Sequence, residues 1–87
     1  MAAYRLLIKA SAGKELERLG TKSDRLRIVE RVQALAQDPR PRGCEKLAGY
    51  TDRFRIRQGN YRVVYLVDDR QREVTIFKVG DRKDIYR

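Results

Sequence analysis

The segment DPRPRG (38–43) divides the chain into two parts that have different hydrophobic periods. Neither proline can continue a helix, because proline lacks a backbone N–H and its ring clashes with the preceding turn. Before this segment, apolar residues recur at helical spacing. After it, they alternate with polar residues, which is the pattern of half-buried strands. The chain is therefore predicted to combine helices and a sheet.

Two helices and one strand are predicted before the break. The longer helix should run from about Ser23 to Gln37, and Thr21 and Asp24 before it have the spacing of a capping box. The shorter helix should cover residues 11–19, with Ser11 as its N-cap and Gly20 after its end. The apolar stripe of the longer helix consists of Ile28, Val29, Val32, Leu35 and Ala36. The short apolar run YRLLI (4–8) predicts the strand.

Three strands are predicted after the break: RFRIR (53–57), YRVVYLVD (61–68) and EVTIFKV (73–79). Short turns at 59–60 and 68–72 make neighbouring strands antiparallel. The order of elements predicts one α+β domain over residues 1–87, with both helices on one face of a small, mainly antiparallel four-stranded sheet. A chain of this length cannot cover both faces, so the other face should be open to solvent.

The charge of the chain indicates a polyanionic partner. Twenty-one Lys and Arg residues against twelve Asp and Glu give a net charge of +9, and such a field attracts nucleic acid, an anionic membrane or an acidic protein. No apolar run has the roughly 18 residues of a membrane span. The N-terminus lacks a basic segment and a long apolar region, so we expect no signal peptide and a cytoplasmic protein.

The composition argues against a metal site and against cysteine catalysis. The chain contains no histidine, which removes His-ligated metals and a Cys–His pair. The single cysteine, Cys44, cannot form an intramolecular disulfide and is interpreted as incidental. We therefore expect neither a metal nor another cofactor.

The first predicted strand after the break carries arginine at alternate positions. If Phe54 and Ile56 pack under the helices, Arg53, Arg55 and Arg57 must point to the open face. Arg62 joins them if Tyr61, Val63 and Tyr65 point inward; the competing set is Val64 and Leu66. We call the surface formed by Arg53, Arg55, Arg57 and Arg62 the arginine face.

The arginine face allows two interpretations. A charged strand is often only a solvated surface. Here, however, like charges lie at alternate positions with no carboxylate expected nearby, which costs stability unless an anion binds. Guanidinium groups bind phosphate bidentately, so we favour a phosphate-binding site. The ending GDRKDIYR (80–87) should bring more cations and a tyrosine to the same end of the sheet.

The order of elements, the stretch LAGYTDRFRIRQGNYRVVYLVDD and the ending VTIFKVGDRKDIYR together resemble the RelE/ParE toxin superfamily, and its RelE branch in particular. This resemblance covers nearly the whole chain and implies a RelE-like, microbial RNase-like fold. It also implies a toxin of a type II toxin–antitoxin system, which enters the ribosomal A site and cleaves messenger RNA without a metal. An antitoxin with helical segments would wrap and neutralise it.

The resemblance also implies which residues act. The positions that match the functional residues of the family are Arg55, Arg57, Arg62, Arg82 and Tyr86. Additional RNA contacts are expected from Arg53, Lys83 and Arg87. Arg62 and Arg82 would stabilise the developing charge on the phosphate. Tyr86 would either transfer a proton or stack on a base.

Two departures from the family pattern leave the proton acceptor open. Arginine stands at 55 and 57 where relatives have lysine, and a guanidinium does not deprotonate in a protein. Asp81 stands where relatives often have a basic residue or histidine. It is a candidate base, although the neighbouring arginine makes a role in orienting that arginine the favoured interpretation.

Two other functions remain open at this level. A ParE-like chain would inhibit DNA gyrase by binding, without nuclease chemistry, and an inactive relative would bind RNA or the ribosome only. The expected partners are the ribosome with its messenger RNA and an acidic antitoxin segment that folds on contact and forms a hetero-oligomer with the toxin. No membrane partner is expected.

Overall fold

The structure, a computed structural model, describes residues 3–81 of the chain. Its elements in chain order are β1 (Arg5–Ile8), α1 (Ala10–Glu17), α2 (Lys22–Ala34), β2 (Glu45–Lys46), β3 (Arg53–Gln58), β4 (Tyr61–Asp68) and β5 (Glu73–Asp81). Both helices pack against one face of the sheet. The predicted α+β architecture is confirmed.

The described strands form a single sheet of five strands in the order β1-β5-β4-β3-β2. β1 runs parallel to β5, and every other neighbouring pair is antiparallel. The two helices between β1 and the later strands provide the long crossover that a parallel pair requires. The prediction of four strands was one too few, because β2 contains only Glu45 and Lys46 and is too short to show a period of two.

The helix ends differ in how well the sequence predicts them. The capping box of α2 is confirmed: the Asp24 N–H donates to Thr21 Oγ1, and the Thr21 N–H donates to Asp24 Oδ2, both at 3.2 Å. Ser11 was wrongly predicted as an N-cap. The extended residue before α1 is Lys9, so Ser11 lies within the helix. α2 ends at Ala34 rather than Gln37, because residues 35–37 form a turn. Neither helix is long and apolar enough to cross a membrane.

The core lies between the helices and one face of the sheet. The helices contribute Ala12, Ile28 and Val32, and Leu35 follows at the end of α2. The sheet contributes Phe54, Ile56, Val63, Tyr65, Val67, Val74, Ile76 and Val79. The one hydroxyl in this set is satisfied, because Tyr65 Oη donates to the Pro39 carbonyl at 2.8 Å. This bond fixes the segment that separates helices from strands, and burial raises the pKa of Tyr65 well above its usual range.

A polar cluster joins three separate segments at one end of the sheet. Arg40 binds Asp69 bidentately, with Nη2 to Oδ2 at 2.8 Å and Nη1 to Oδ1 at 3.1 Å. Tyr4 Oη donates to the same carboxylate at 2.6 Å. The Arg40 guanidinium also lies 5.2 Å from the centre of the Phe54 ring. The N-terminal segment, the loop after α2 and the β4–β5 turn are thereby held together.

Candidate nucleic-acid interface

The register of β3 and β4 places four arginines on the face away from the helices. Ile56 lies opposite Val63 and Phe54 opposite Tyr65, all in the core. The alternating residues therefore project from the other side. Of the two orientations that the sequence allowed for β4, the structure has the one in which Arg62 joins Arg53, Arg55 and Arg57.

The centre of the arginine face is the pair Arg57 and Arg62, which lie directly opposite each other. Residues in such positions have Cβ atoms roughly 5 Å apart, and like charges there destabilise a sheet. Arg57 is exposed, whereas the Arg62 residue is only 2% exposed, and Arg62 Nη1 donates to the Tyr61 carbonyl at 3.2 Å. The next residue across the sheet is Gly80, which adds no side chain to this row. The expectation that this face is open to solvent is therefore wrong at its centre, where Arg62 and Val64 are 2% and 5% exposed, and Arg57 is the exposed cation of the pair.

Arg55 is accompanied by a carboxylate that the sequence did not predict. Glu45 on β2 lies opposite Arg55, with its Oε1 at 3.4 Å from the arginine Nε and its Oε2 at 3.5 Å from Nη2. The expectation that no carboxylate compensates the arginines was therefore wrong for Arg55. The Glu45 side chain is 55% exposed, so the pair is a surface ion pair, whose typical contribution to stability is about 0–1 kcal/mol.

Arg53 lies against two aromatic rings. Its guanidinium carbon is 4.4 Å from the centre of the Tyr50 ring and 5.1 Å from that of Phe77. A β-bulge in β5 supports this arrangement: Val64 lies opposite Lys78 and Tyr65 opposite Ile76, so Phe77 is the extra residue. Bulges redirect side chains and are common beside functional sites.

Asp81 lies on a different side of the sheet. It is opposite Tyr61, which packs against the core under the helices. A cavity of about 360 Å³ there is also lined by Glu15, Arg18 and Lys78. The Tyr61 pKa is raised by burial and by the nearby carboxylates of Asp24 and Asp81. The backbone therefore separates Asp81 from the face that carries Arg62.

Four predicted site residues, Arg82, Lys83, Tyr86 and Arg87, lie outside the described residues. Within residues 3–81, no group of three or more His, Cys, Asp or Glu side chains is placed to hold a metal ion.

Comparisons with known proteins identify the family. The sequence profile described as "ParE toxin of type II toxin-antitoxin system, parDE" matches residues 6–86. RelE in the archaeal RelE–RelB complex from Pyrococcus horikoshii OT3 is 33% identical with a TM-score of 0.81, covering 94% of this chain and 97% of that one. The chain belongs to the RelE/ParE toxin superfamily.

Two bacterial structures place the chain in the RelE branch of that superfamily. The isolated Escherichia coli RelE toxin is 31% identical with a TM-score of 0.80, covering 97% of this chain and 92% of its own. A chain of the RelBE2 toxin–antitoxin complex from Mycobacterium tuberculosis is 27% identical with a TM-score of 0.78. The match covers 92% of this chain and 99% of that one. No curated protein sequence gave a significant match.

Sequence reasoning missed three residues of this face. Glu45 gave no signal, because a two-residue strand has no pattern and its partner is ten positions away. Tyr50 lies outside the strands. Phe77 did leave a trace in the sequence: core residues fall at 74 and 76 but then at 79, and such a break in a period of two indicates a bulge.

Proposed function

We propose that this RelE/ParE-family toxin is a metal-independent endoribonuclease that cuts messenger RNA in the ribosomal A site and thereby stops translation. In this proposal residues 1–87 make up one toxin domain. The observation that carries it is the opposed pair Arg57 and Arg62, with Arg55 in the adjacent row of the same open face. Several guanidinium groups in a small area suit the phosphates of an RNA strand.

The reaction needs no group beyond the RNA and the protein. The 2′-oxygen attacks the adjacent phosphorus and the bond from phosphorus to the 5′-oxygen breaks, which leaves a cyclic phosphate and a free 5′-hydroxyl. One group accepts the 2′-hydroxyl proton, and another protonates the leaving oxygen. Arg62 stabilises the charge that develops on the phosphate, and donors of this kind contribute about 10²–10³-fold in rate. Arg55 and Arg57 hold the neighbouring backbone.

We assign the proton-acceptor role to Glu45. Glu45 lies on the arginine face beside Arg55, whereas Asp81 lies opposite Tyr61 on the side toward the helices. Position alone separates the two carboxylates, because Glu45 pairs with Arg55 and Asp81 is followed by Arg82 in the sequence. Asp81 is therefore assigned the orienting role. A positioned carboxylate acting as a general base contributes about 10²–10⁴-fold.

The residues after Asp81 complete the proposal from the family pattern. Arg82 shares the stabilisation of charge with Arg62, and Tyr86 protonates the leaving oxygen or stacks on a base. Lys83 and Arg87 contact the RNA backbone. With so few acid–base groups, cleavage of free RNA should be slow, because the ribosome supplies the geometry for in-line attack.

The proposed partners follow from charge and from the relatives. Structures of RelE–RelB complexes are among those similar to this chain, and its +9 charge suits an acidic antitoxin segment that becomes helical as it binds. We propose a toxin–antitoxin hetero-oligomer in the cytoplasm, in which the antitoxin keeps the toxin from the ribosome and its message.

Primer extension on a defined message in a purified translation system tests this function. Wild-type protein should produce cuts at A-site codons only when ribosomes are present, and Arg62→Ala should lose them. Arg70→Ala is a matched control, because Arg70 is an exposed arginine in the β4–β5 turn. An intact message with blocked translation would instead indicate an inactive relative that inhibits by binding.

One observation supports a second candidate. The matching family profile is described by the ParE toxin, and a ParE-like chain would bind and inhibit DNA gyrase without nuclease chemistry. A supercoiling assay with purified gyrase separates the two functions. Inhibition of gyrase together with normal translation would replace the ribonuclease proposal.

A further inference from the structure

A hollow on the open face lies beside the proposed phosphate site and has no role in the chemistry above. It has a volume of about 290 Å³ and is lined by Lys9, Arg53, Leu66, Thr75 and Phe77. Arg53 belongs to the same strand as Arg55 and Arg57. At about 3.3 Å per residue, its row lies about 13 Å from that of Arg57 and Arg62. The hollow is thus continuous with the arginine face.

Arg53 is held in this hollow by rings rather than by a carboxylate. The Tyr50 and Phe77 rings lie 4.4 and 5.1 Å from its guanidinium carbon. Its Nε is buried and has no hydrogen-bond partner within residues 3–81. The Tyr50 residue remains 47% exposed. The result is a fixed group of flat surfaces, two aromatic and one cationic.

Flat π surfaces with cations beside them suit a nucleobase. Bases stack on aromatic rings and on guanidinium planes, and such contacts tolerate any base because every base has a π face. The volume of the hollow is at the lower end of the range for small-ligand pockets, so it suits a ligand as small as a single base. Lys9 and Thr75 also line the hollow, and an ammonium and a hydroxyl are groups that suit the phosphate and the polar edge of a nucleotide.

We propose that Arg53 and Phe77, which line the hollow, form a base-binding subsite together with Tyr50, which packs on Arg53. The subsite would hold a nucleotide that flanks the cleaved linkage in single-stranded RNA. This inference rests on the proposed function and names the part of the substrate that this hollow holds. Lys9 and the partly buried Arg53 favour a nucleotide over an apolar segment of a protein partner, which would leave both charges without compensation.

Binding of a short single-stranded RNA tests the subsite without any need for cleavage. The probe is a fluorescent oligonucleotide with 2′-O-methyl groups, which cannot be cut, and its match carries one abasic nucleotide. Phe77→Leu removes the ring but keeps an apolar side chain, and Arg53→Lys keeps the charge but removes the plane. Arg70→Lys is the control on the β4–β5 turn.

Both variants should bind the intact RNA about 5- to 150-fold more weakly than wild type, the range expected for the loss of one stacked base. The wild-type protein should lose a similar factor with the abasic RNA, and the variants should lose little more. Equal weakening with both RNAs would indicate a backbone contact and overturn the base subsite. So would undiminished binding by both variants, or no binding by wild type, whereas ribosome-dependent cleavage remains a separate test of the proposed function.

Discussion

Arg40 and Arg62 occupy different places in the fold: Arg40 lies in a surface ion-pair cluster, and Arg62 lies in a row of arginines on the sheet. Arg40 forms a bidentate pair with Asp69 at 2.8 and 3.1 Å, and Tyr4 completes the cluster. Arg62 lies directly opposite Arg57, so its nearest neighbour on the adjacent strand has the same charge. The first arrangement satisfies its charges within the fold and holds segments together. Arg62 belongs to a row of arginines on the arginine face, and in the proposed function this row binds the phosphates of RNA.

The largest expected effect is on the Arg62 side of this comparison. Arg62→Ala should reduce ribosome-dependent cleavage by about 10²–10³-fold, because it removes a donor to the charged phosphate. Single-turnover rates on stalled ribosomes measure this. Arg62→Lys keeps the charge without the bidentate fork and should recover only part of the rate. Full activity of the alanine variant would remove Arg62 from the reaction.

The next largest effect on cleavage is expected at Glu45, the carboxylate that pairs with Arg55. Glu45→Gln should reduce cleavage by about 10²-fold through loss of the proton acceptor, at the lower end of the range for a general base. Asp81→Asn is the matched variant and should reduce cleavage less than Glu45→Gln, because an orienting residue acts only through the arginine that it positions. A reversal of the two results would return the acceptor role to Asp81.

The Tyr65 hydroxyl is buried and hydrogen-bonded within the fold, so it should affect the stability of the protein and not its cleavage activity. Tyr65→Phe leaves the Pro39 carbonyl without its donor, which should lower the free energy of unfolding by about 1–3 kcal/mol. For a chain of this size, each kcal/mol lowers Tm by about 4–8 °C. Calorimetry measures the shift, and cleavage below the transition should be normal.

The difference in free energy of unfolding between wild type and Tyr65→Phe should fall as pH rises. Burial raises the Tyr65 pKa in the folded state, so the unfolded chain ionises first, near pH 10. The contribution of the phenol to stability is present below that pH and is lost as pH rises through the folded pKa. Wild type should therefore lose its advantage over Tyr65→Phe above about pH 10. A constant difference between pH 7 and 11 would contradict this.

The smallest effect on stability is expected at the exposed cluster of Tyr4, Arg40 and Asp69. Hydrogen bonds from Arg40 and then Tyr4 lower the Asp69 pKa, so the carboxylate contributes stability above its unfolded pKa of about 4. This contribution is lost as pH falls through the folded pKa. Asp69→Asn should lower Tm slightly at pH 7 and not at all at strongly acid pH, with cleavage unaffected. Thermal melts across this pH range measure it.

The fold was largely predictable because its signals are local. The proline-containing segment, the stripe through Ile28 and Val32, and the alternation around Phe54 each depend on a few neighbouring residues. The structure confirms the elements that they predict. Two predictions were wrong where the local signal is weak. The strand β2 was missed because it has only two residues, and the start of α1 was misplaced because no side chain caps it.

The site was less predictable, because its geometry depends on register between distant residues. The sequence identified the arginines and left the orientation of Arg62 open, which the opposition of Val63 to Ile56 decides. Glu45 and Tyr50 come close to arginines only through the sheet and its adjacent loop. Pairings of this kind are set by tertiary packing, so a pattern along the chain does not reveal them.

A direct comparison of Arg62→Ala and Arg40→Ala tests the central claim. Both variants remove one guanidinium, and both are assayed for Tm and for ribosome-dependent cleavage at a temperature where each is folded. We expect Arg62→Ala to lower Tm, because that residue is only 2% exposed, and to lose cleavage even where it is folded. Arg40→Ala should lower Tm slightly, because the Arg40–Asp69 pair is exposed, and should keep cleavage. Equal loss of cleavage in both, or cleavage retained by Arg62→Ala, would contradict the division between a structural arginine and a functional one.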